Sequence, residues 1–153
     1  MKKFRYSMES ILNIKIKLED QAKLAYTAAR NRLTIEEEKL VKLENMKSSY
    51  EEEQRRQSKS RLNIMKIKQL SEAIEIMKMK IKQQTVVVKA AQQALEVARI
   101  RLNDAMIERK TQEKLKEKAW QEYMMEANAE EQKEIDEHNS YIYNSSLLYE
   151  EDR

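Results

Sequence analysis

Residues 67–105 read IKQLSEAIEIMKMKIKQQTVVVKAAQQALEVARIRLNDA. Side chains spaced alternately three and four residues apart form a series of twelve positions here, and eleven of them are apolar. The series is Ile67, Leu70, Ile74, Met77, Ile81, Gln84, Val88, Ala91, Leu95, Ala98, Leu102 and Ala105. This 3.5-residue repeat is typical of a left-handed coiled coil. The stretch therefore predicts a long helix whose apolar seam must be covered by a partner helix.

An earlier repeat offers that partner. Its first part is Phe4, Met8, Ile11, Lys15, Leu18, Ala22, Ala25 and Ala29. After a one-residue slip the series resumes as Leu33, Glu36, Leu40, Leu43, Lys47 and Tyr50. The slip resembles a stutter, which locally unwinds a coiled coil. Beyond residue 105, the later repeat turns polar at Arg109, Gln112, Lys116, Ala119, Tyr123 and Glu126.

The composition supports an all-helical chain. None of the 153 residues is Gly, Pro or Cys, and 37% are charged. Sandwiches, barrels and α/β folds need the sharp turns that Gly and Pro supply, so these folds are excluded. The lack of Cys removes disulfides and thiolate chemistry and fits a reducing cytosol. Because no stretch approaches the roughly 20 apolar residues of a membrane span, and no signal peptide is evident, we expect a soluble protein.

Residues 51–60 contain no apolar side chain and separate the two repeats. This break predicts a turn over 56–60, helix one over 4–55, helix two over 60–140 and a frayed tail over 141–153. The fold predicted for the single domain, residues 1–153, is an antiparallel two-helix coiled-coil hairpin. A turn near residue 58 pairs residues whose numbers add to about 117, so helix two should overhang helix one from about residue 113.

Charge is unevenly distributed along the chain. Residues 55–82 carry nine Lys or Arg against two Glu, whereas residues 119–153 carry two Lys or Arg against ten Asp or Glu. The basic candidates at the tip are Arg55, Arg56, Lys59, Arg61, Lys66 and Lys68. RNA binding there would need stacking aromatics, and only Tyr50 is near. We therefore expect no nucleic-acid partner and read most of these charges as solvated helix faces.

Catalytic and metal chemistry find no support in the sequence. His138 is the only histidine, and Glu134 lies one helical turn before it, but a metal site needs three or four ligands. Carboxylate catalysis needs a desolvated pocket, which a two-helix hairpin does not provide. We therefore expect neither an enzyme nor a cofactor.

Two segments are candidates for protein contacts. The first holds Trp120, the only Trp, with Tyr123 and two Met. Trp120 either anchors a partner on the unpaired overhang or belongs to the hairpin itself. It would belong to the hairpin if the turn lay nearer the C-terminus than predicted, or if Trp120 packed against Phe4 or Tyr6 at the end of the hairpin. The second lies just below the predicted tip and is either seam or docking surface. It comprises Leu43, Met46, Tyr50, Leu70, Ala73 and Met77.

Short motifs resemble the flagellar FliJ family over nearly the whole chain. The opening, from Phe4-Arg5-Tyr6 through Glu9 and Lys15 to Glu19, is similar to the family's F-x-F/Y start and first helix. The runs at 108–117 and 131–137 resemble its C-terminal helix. The resemblance implies a stalk-like coiled coil of the type III export apparatus. Its implied partners are the hexameric export ATPase, the cytoplasmic domain of the export-gate membrane protein and export chaperones.

The resemblance also implies residues for two of these contacts. Those facing the export gate would be Lys39, Leu43, Met46, Tyr50, Leu70, Ala73 and Met77. Those facing the ATPase ring would be Phe4, Tyr6, Met8, Ile11, Trp120, Tyr123 and Ile135. The implied location is the cytoplasm at the inner face of the membrane at the flagellar base, reached only through partners, and the implied state is a monomeric rod. A generic coiled-coil adaptor or export chaperone remains the alternative, and an RNA-touching helical arm is a distant third.

Overall fold

Two helices account for nearly all of the chain. A computed structural model describes residues 3–59 and 63–151, and in these ranges it contains α1, Glu9–Lys59, and α2, Ile64–Glu151, and no strand. The helices pack against each other, which confirms the predicted all-α helical hairpin. Their contacts fall into two units, Met1–Lys17 with Ile107–Arg153 (the terminal unit) and Leu18–Met106 (the middle unit). Each unit is described by itself.

α1 begins later and ends later than the sequence predicted. The carbonyl of Met8 accepts the first helical hydrogen bond, from the Leu12 N–H at 3.1 Å. Residues 3–6 precede the helix without regular secondary structure. The predicted turn over 56–59 is instead helical, and within it Ser58 donates its hydroxyl to the Gln54 carbonyl at 2.9 Å. Ser60, Arg61 and Leu62 lie outside the described residues.

Asn63 caps the start of α2. Its side-chain Oδ1 accepts the Lys66 N–H at 3.3 Å, and its carbonyl accepts the Ile67 N–H at 3.0 Å. This is the arrangement by which Asn satisfies the free N–H groups of a first helical turn. The helix therefore starts at Ile64 and not at residue 60, and its first turn is capped by the Asn63 side chain.

α2 runs further than the sequence predicted. A frayed tail was expected over 141–153, but the structure continues the helix through Glu151. No Gly or Pro interrupts residues 141–151, so no local signal ends the helix there. Residues 152–153 lie outside the described range.

Burial along α2 confirms its predicted seam. All twelve positions from Ile67 to Ala105 are buried or half-buried, and so are the five that follow in the same frame as far as Tyr123. Only the last position differs, because Glu126 is exposed and Ala127 is buried. No large side chain is completely buried in the described ranges. The seam is therefore a shallow interface between two helices.

The seam of α1 differs from the prediction. Glu19 is 4% exposed whereas Leu18 is 42% exposed, and Tyr26 is half-buried whereas Ala25 is exposed. With Glu19 and Tyr26 included, inward positions recur every three or four residues from Leu12 to Gln57 without a slip. The predicted stutter is therefore wrong. It arose because small or apolar residues were preferred over polar ones whose long side chains also pack well in a seam.

A polar layer crosses the middle unit at Glu36 and Gln84. Gln84 Nε2 donates to Glu36 Oε2 at 2.7 Å and to the Glu36 carbonyl at 2.9 Å. Arg32 and Lys39 approach the other carboxylate oxygen at 3.2 and 3.4 Å. The Gln84 hydrogen bond is the main cause that holds the Glu36 pKa below its ordinary value; burial opposes it, and the charges of Lys39 and Arg32 assist it. Such a layer favours one register, since a shifted pairing would leave the seam carboxylate without its donor.

The pairing of the helices differs from the predicted register. Within the middle unit Gln54 donates to Ser71, numbers that add to 125, and within the terminal unit Lys15 pairs with Glu108, numbers that add to 123. The sequence predicted pairs whose residue numbers add to about 117. The difference follows from the turn, because the helix ends flanking it, Lys59 and Ile64, also add to 123.

The Asn63 cap should contribute measurably to stability. Asn63→Ala removes the acceptor of the Lys66 N–H, so we expect the free energy of unfolding in urea to fall by about 1 kcal/mol. Asn63→Asp keeps an acceptor and should remain near the wild-type value. Equal losses for the two variants would contradict the capping role.

Acid should destabilise the chain partly through Glu36. A carboxyl group whose pKa is lowered by folding stabilises the fold above its ordinary pKa of 4.5, and that contribution is lost as pH falls through the folded pKa. Glu36→Gln should be less stable than wild type at pH 7 and lose stability less steeply below pH 4.5. The matched control, Glu37→Gln, replaces an exposed neighbour and should keep the wild-type slope. Urea unfolding between pH 3 and 7 measures both.

Candidate partner-binding surfaces

An aromatic cluster fastens the segment before α1 onto α2 in the terminal unit. The Phe4 ring meets Trp120 edge-on, with centroids 5.0 Å apart and planes at 80°. Tyr123 lies 5.4 Å from Phe4 and 5.6 Å from Trp120. Edge-to-face and tilted packing at these distances is favourable for aromatic pairs. Of the two alternatives for Trp120, the structure therefore shows the one in which it packs against Phe4.

Polar contacts extend this attachment along the terminal unit. The Tyr6 hydroxyl donates to Gln112 Oε1 at 3.4 Å. Lys116 Nζ lies 2.9 Å from Glu9 Oε2. Lys15 Nζ bonds Glu108 Oε2 at 3.0 Å. These pairs are partly exposed, so each contributes little on its own, but together they fix how the segment lies on α2.

The cluster shortens the part of α2 that lacks a partner helix. The sequence predicted an overhang from about residue 113. In the structure Lys3, Phe4 and Arg5 line one groove with Tyr123 and Ala127, so the segment before α1 covers α2 to that point. Residues 128–144 are all exposed. The overhang therefore begins near residue 128, because Lys3, Phe4 and Arg5 continue along α2 beyond the start of α1 at Glu9.

This overhang is acidic and carries apolar side chains. Residues 128–151 contain seven Asp or Glu and one Lys. Ile135, Ile142 and Tyr149 are spaced seven residues apart and therefore lie on one face, 46%, 49% and 77% exposed respectively. The overhang thus offers an apolar stripe flanked by negative charge.

The residues predicted to face an ATPase ring fall into three groups. Phe4, Tyr6, Trp120 and Tyr123 lie together in the attachment of the N-terminal segment. Met8 and Ile11 are partly exposed at the start of α1, and Ile135 lies on the overhang. The aromatic residues thus make contacts within the fold, and 46% of the Trp120 surface remains exposed to a partner.

The residues predicted to face the export gate divide between seam and surface. Met77 is 5% exposed and belongs to the core. Leu43, Tyr50 and Leu70 are half-buried seam positions. Lys39 and Met46 are exposed, and Ala73 is half-buried beside the seam. Lys39 and Met46 are therefore the most open to a partner, and Met77 is the least open.

Sequence reasoning missed Ile76, which is 52% exposed. Ile76 shares one property with three of the residues already named: each directly precedes a seam residue in the sequence. The four are Lys39 and Met46 on α1, and Ala73 and Ile76 on α2. In an antiparallel pair these positions lie on the same side of the interface. The available signal was the offset of one residue from the seam. We call these four residues, Lys39, Met46, Ala73 and Ile76, the tip patch.

A comparison with known protein families decides what the chain is. The family model described as flagellar FliJ protein matches residues 4–147. The chain belongs to the FliJ family. This confirms the resemblance drawn from the opening residues and from the charged runs of α2. Membership makes the chain a type III export-related protein of a family that is a non-enzymatic export component.

Solved structures give a second, independent likeness. A chain described as a YscO homologue, CT670 from Chlamydia trachomatis, matches this FliJ-family fold with a TM-score of 0.54. The match covers 97% of this chain and 96% of the other at 22% identity. At that identity the likeness supports the fold alone. The comparison with curated protein sequences finds no match.

The described part of this FliJ-family chain has neither a metal cluster nor a membrane helix. Among residues 3–59 and 63–151, no three His, Cys, Asp or Glu side chains converge as ligands. His138 is exposed on the overhang. Within the same ranges neither helix is long and apolar enough to cross a bilayer.

The Phe4–Trp120 contact can be measured directly because the chain has one Trp. Phe4→Ala should uncover Trp120 and shift its fluorescence emission to longer wavelength. A double-mutant cycle with Phe4→Ala and Trp120→Leu should give a coupling energy of about 0.5–1.5 kcal/mol in the free energy of unfolding. Arg5→Ala, which alters an exposed neighbour, is the control. Unchanged emission in Phe4→Ala would show that the cluster does not form in solution.

Proposed function

We propose that this FliJ-family chain couples the hexameric export ATPase to the export gate, as a central-stalk-like protein, and escorts export chaperones. The terminal unit enters the ATPase ring, and the tip patch contacts the cytoplasmic domain of the export-gate membrane protein. The protein works in the cytoplasm at the inner face of the membrane at the flagellar base. It reaches the membrane only through these partners and binds no nucleotide itself.

One observation carries the proposal. In the overhang, residues 128–144 of α2 are all exposed, where a stalk needs surface for a ring. A helix with exposed Ile135 and Ile142 in an acidic surround would not remain uncovered in a complete assembly, since apolar interface residues with polar rims mark protein contacts. The hexameric export ATPase, which the family resemblance implies as a partner, is the one to test first.

The aromatic cluster gives the overhang a fixed base. Phe4 packs on Trp120 and Tyr123, so the helix is supported up to Ala127 and free only beyond it. A supported base lowers the entropy lost when the free segment is ordered on a partner. In this proposal Tyr6, Met8 and Ile11 stabilise or border the base, and Ile135 makes ring contact.

The tip patch supports a second contact in the middle unit. Met46 and Ile76 are exposed apolar side chains beside a half-buried Ala73, and Lys39 adds a positive charge. Met and Ile side chains on a thin helical pair adapt to a partner surface without a deep pocket. Met77 is buried in the core behind the tip patch, so in this proposal it supports the patch from within.

Stimulation of ATP hydrolysis tests the coupling function. Purified export ATPase should hydrolyse ATP faster and assemble more hexamer when this chain is added. Ile135→Glu with Ile142→Glu should abolish the effect, because both changes place a charge on the apolar stripe of the overhang. Lys133→Glu with Ser140→Glu adds negative charge to the same helix off that stripe and is the matched control. No stimulation by the wild-type chain would leave the adaptor alternative in its place.

Charge reversal should separate the two contacts. Changing Arg55, Lys59, Lys66 and Lys68 to Glu should weaken binding to the cytoplasmic gate domain and leave ATPase binding intact. Changing Glu130, Glu131, Glu134 and Glu137 to Lys should do the reverse. Titrations at two salt concentrations measure both contacts, since exposed charges are screened by salt. Equal loss of both contacts in either variant would refute the assignment.

A further inference from the structure

A second heptad repeat runs along the outer face of α2 in the middle unit. Its positions alternate by three and four residues, as the seam positions do, but they lie on the face remote from α1 and all of them are exposed. Five of the seven positions are apolar and none is charged. We call this set the outer stripe; it comprises Met79, Gln83, Val86, Ala90, Gln93, Val97 and Ile100.

The equivalent face of α1 is more polar. Its heptad positions over the same length hold Leu24, Ala28, Asn31, Ile35, Glu38, Lys42 and Asn45. Four of these seven side chains are charged or amide groups, against two amides in the outer stripe. Solvation alone would make both outer faces polar. Because the apolar side chains of α2 recur in a regular repeat and are not scattered singly, they indicate a surface that another molecule covers.

The period of the outer stripe indicates that this molecule is a helix. A 3.5-residue repeat follows the supercoil of a helix pair, so the stripe stays on one face of α2 along its whole length. From Met79 to Ile100 it extends for about 32 Å, which is three heptads. The stripe contains no aromatic residue and no Leu, the side chains that anchor a helix in a bilayer surface. Packing against a helix is therefore favoured over packing against lipid.

Basic side chains flank the outer stripe. In a coiled coil, charged residues beside the seam determine which partner binds. The flanking positions on the two sides are Lys80, Val87, Ala94 and Arg101, and Lys82, Lys89, Glu96 and Asn103. Glu96 is the one acidic residue in this set, and it already pairs with Arg99, whose Nε lies 3.0 Å from Glu96 Oε2. The four basic residues of the set are exposed, so charge selects a helix with acidic flanks.

This helix belongs to another protein. α1 already covers the seam of α2, and α2 is one continuous helix from Ile64 to Glu151, so its later residues cannot fold back onto the outer stripe. The overhang of a second copy does not have the required flanks, because only Asp136 and Glu137 are acidic between Ile135 and Tyr149.

We infer that the outer stripe binds an amphipathic helix of another protein, about three heptads long, with an apolar seam and acidic flanks. The stripe contains no residue of the overhang and no residue of the tip patch. Binding at the stripe is therefore a property of the chain beyond the proposed coupling function, and the chain can hold this helix while its terminal unit contacts the ATPase ring.

A synthetic helical peptide of about four heptads, with Leu at its a and d positions and Glu at its e and g positions, is the probe for this site. The full-length chain should bind the peptide one to one in a calorimetric titration. Val86→Glu with Ile100→Glu should weaken binding by about tenfold or more, because both changes place a charge in the apolar contact. No binding by the wild-type chain would overturn the inference.

The matched control places the same charges on α1. Asn31 and Asn45 occupy the same heptad position on α1 as Val86 and Ile100 do on α2, and both pairs are separated by 14 residues. Asn31→Glu with Asn45→Glu has the same net charge as the α2 variant and should bind the peptide as wild type does. Equal weakening by the two variants would show that net charge, and not the outer stripe, governs binding.

Reversing the flanks should reverse the choice of peptide. Changing Lys80, Lys82, Lys89 and Arg101 to Glu should abolish binding of the Glu-flanked peptide and permit binding of the same peptide with Lys at its e and g positions. An unchanged preference for the Glu-flanked peptide would overturn the selection by charge.

Two other occupants are tested with the same α2 variant. Self-association of wild type in sedimentation that Val86→Glu with Ile100→Glu abolishes would assign the outer stripe to a second copy. Binding to phosphatidylglycerol vesicles that the variant abolishes would assign it to a membrane surface. Either result would overturn the inference. The variant should still stimulate the export ATPase, so failure of this site and failure of the proposed function are distinguishable.

Discussion

The heptad seam between α1 and α2 is the constraint on which the rest of this chain depends. The chain has no Gly or Pro and no strand among residues 3–59 and 63–151, so the two helices bury their apolar seams mainly against each other. The seam is shallow, so its specificity comes from polar contacts as much as from apolar ones. The Glu36–Gln84 layer supplies it in the middle unit, and the Lys15–Glu108 and Glu9–Lys116 pairs supply it in the terminal unit.

In such a chain, the surfaces available to partners lie where the seam ends or where apolar residues beside the seam are exposed. In the terminal unit, Phe4 and Trp120 define where helical support ends and the overhang begins. In the middle unit, residues that directly precede a seam position in the sequence form the tip patch, and they also include the exposed Leu18 and Val97. The same offset thus accounts for the exposed Met46, Ile76 and Val97.

The sequence was sufficient to predict the seam of α2, but it was insufficient to predict parts of the seam of α1. The α2 seam is almost purely apolar, so periodicity alone located it. On α1, Glu19 and Tyr26 occupy seam positions, and polarity argued against them although their long side chains pack there. The turn was misplaced because Ser58 stays in the helix and Asn63 provides the start of the next one. Trp120 was left between two alternatives because Phe4 precedes α1, so the repeat that begins at Phe4 did not fix where that residue lies.

The shallow seam also determines how the folded chain fills space. No large side chain in the described ranges is completely enclosed, so little packing volume is shut away from solvent. Pressure unfolds proteins chiefly by eliminating internal voids, and a helix pair without an enclosed core has few voids to lose. Its volume should therefore change little on unfolding, and hydrostatic pressure should affect it less than it affects a globular domain of similar mass.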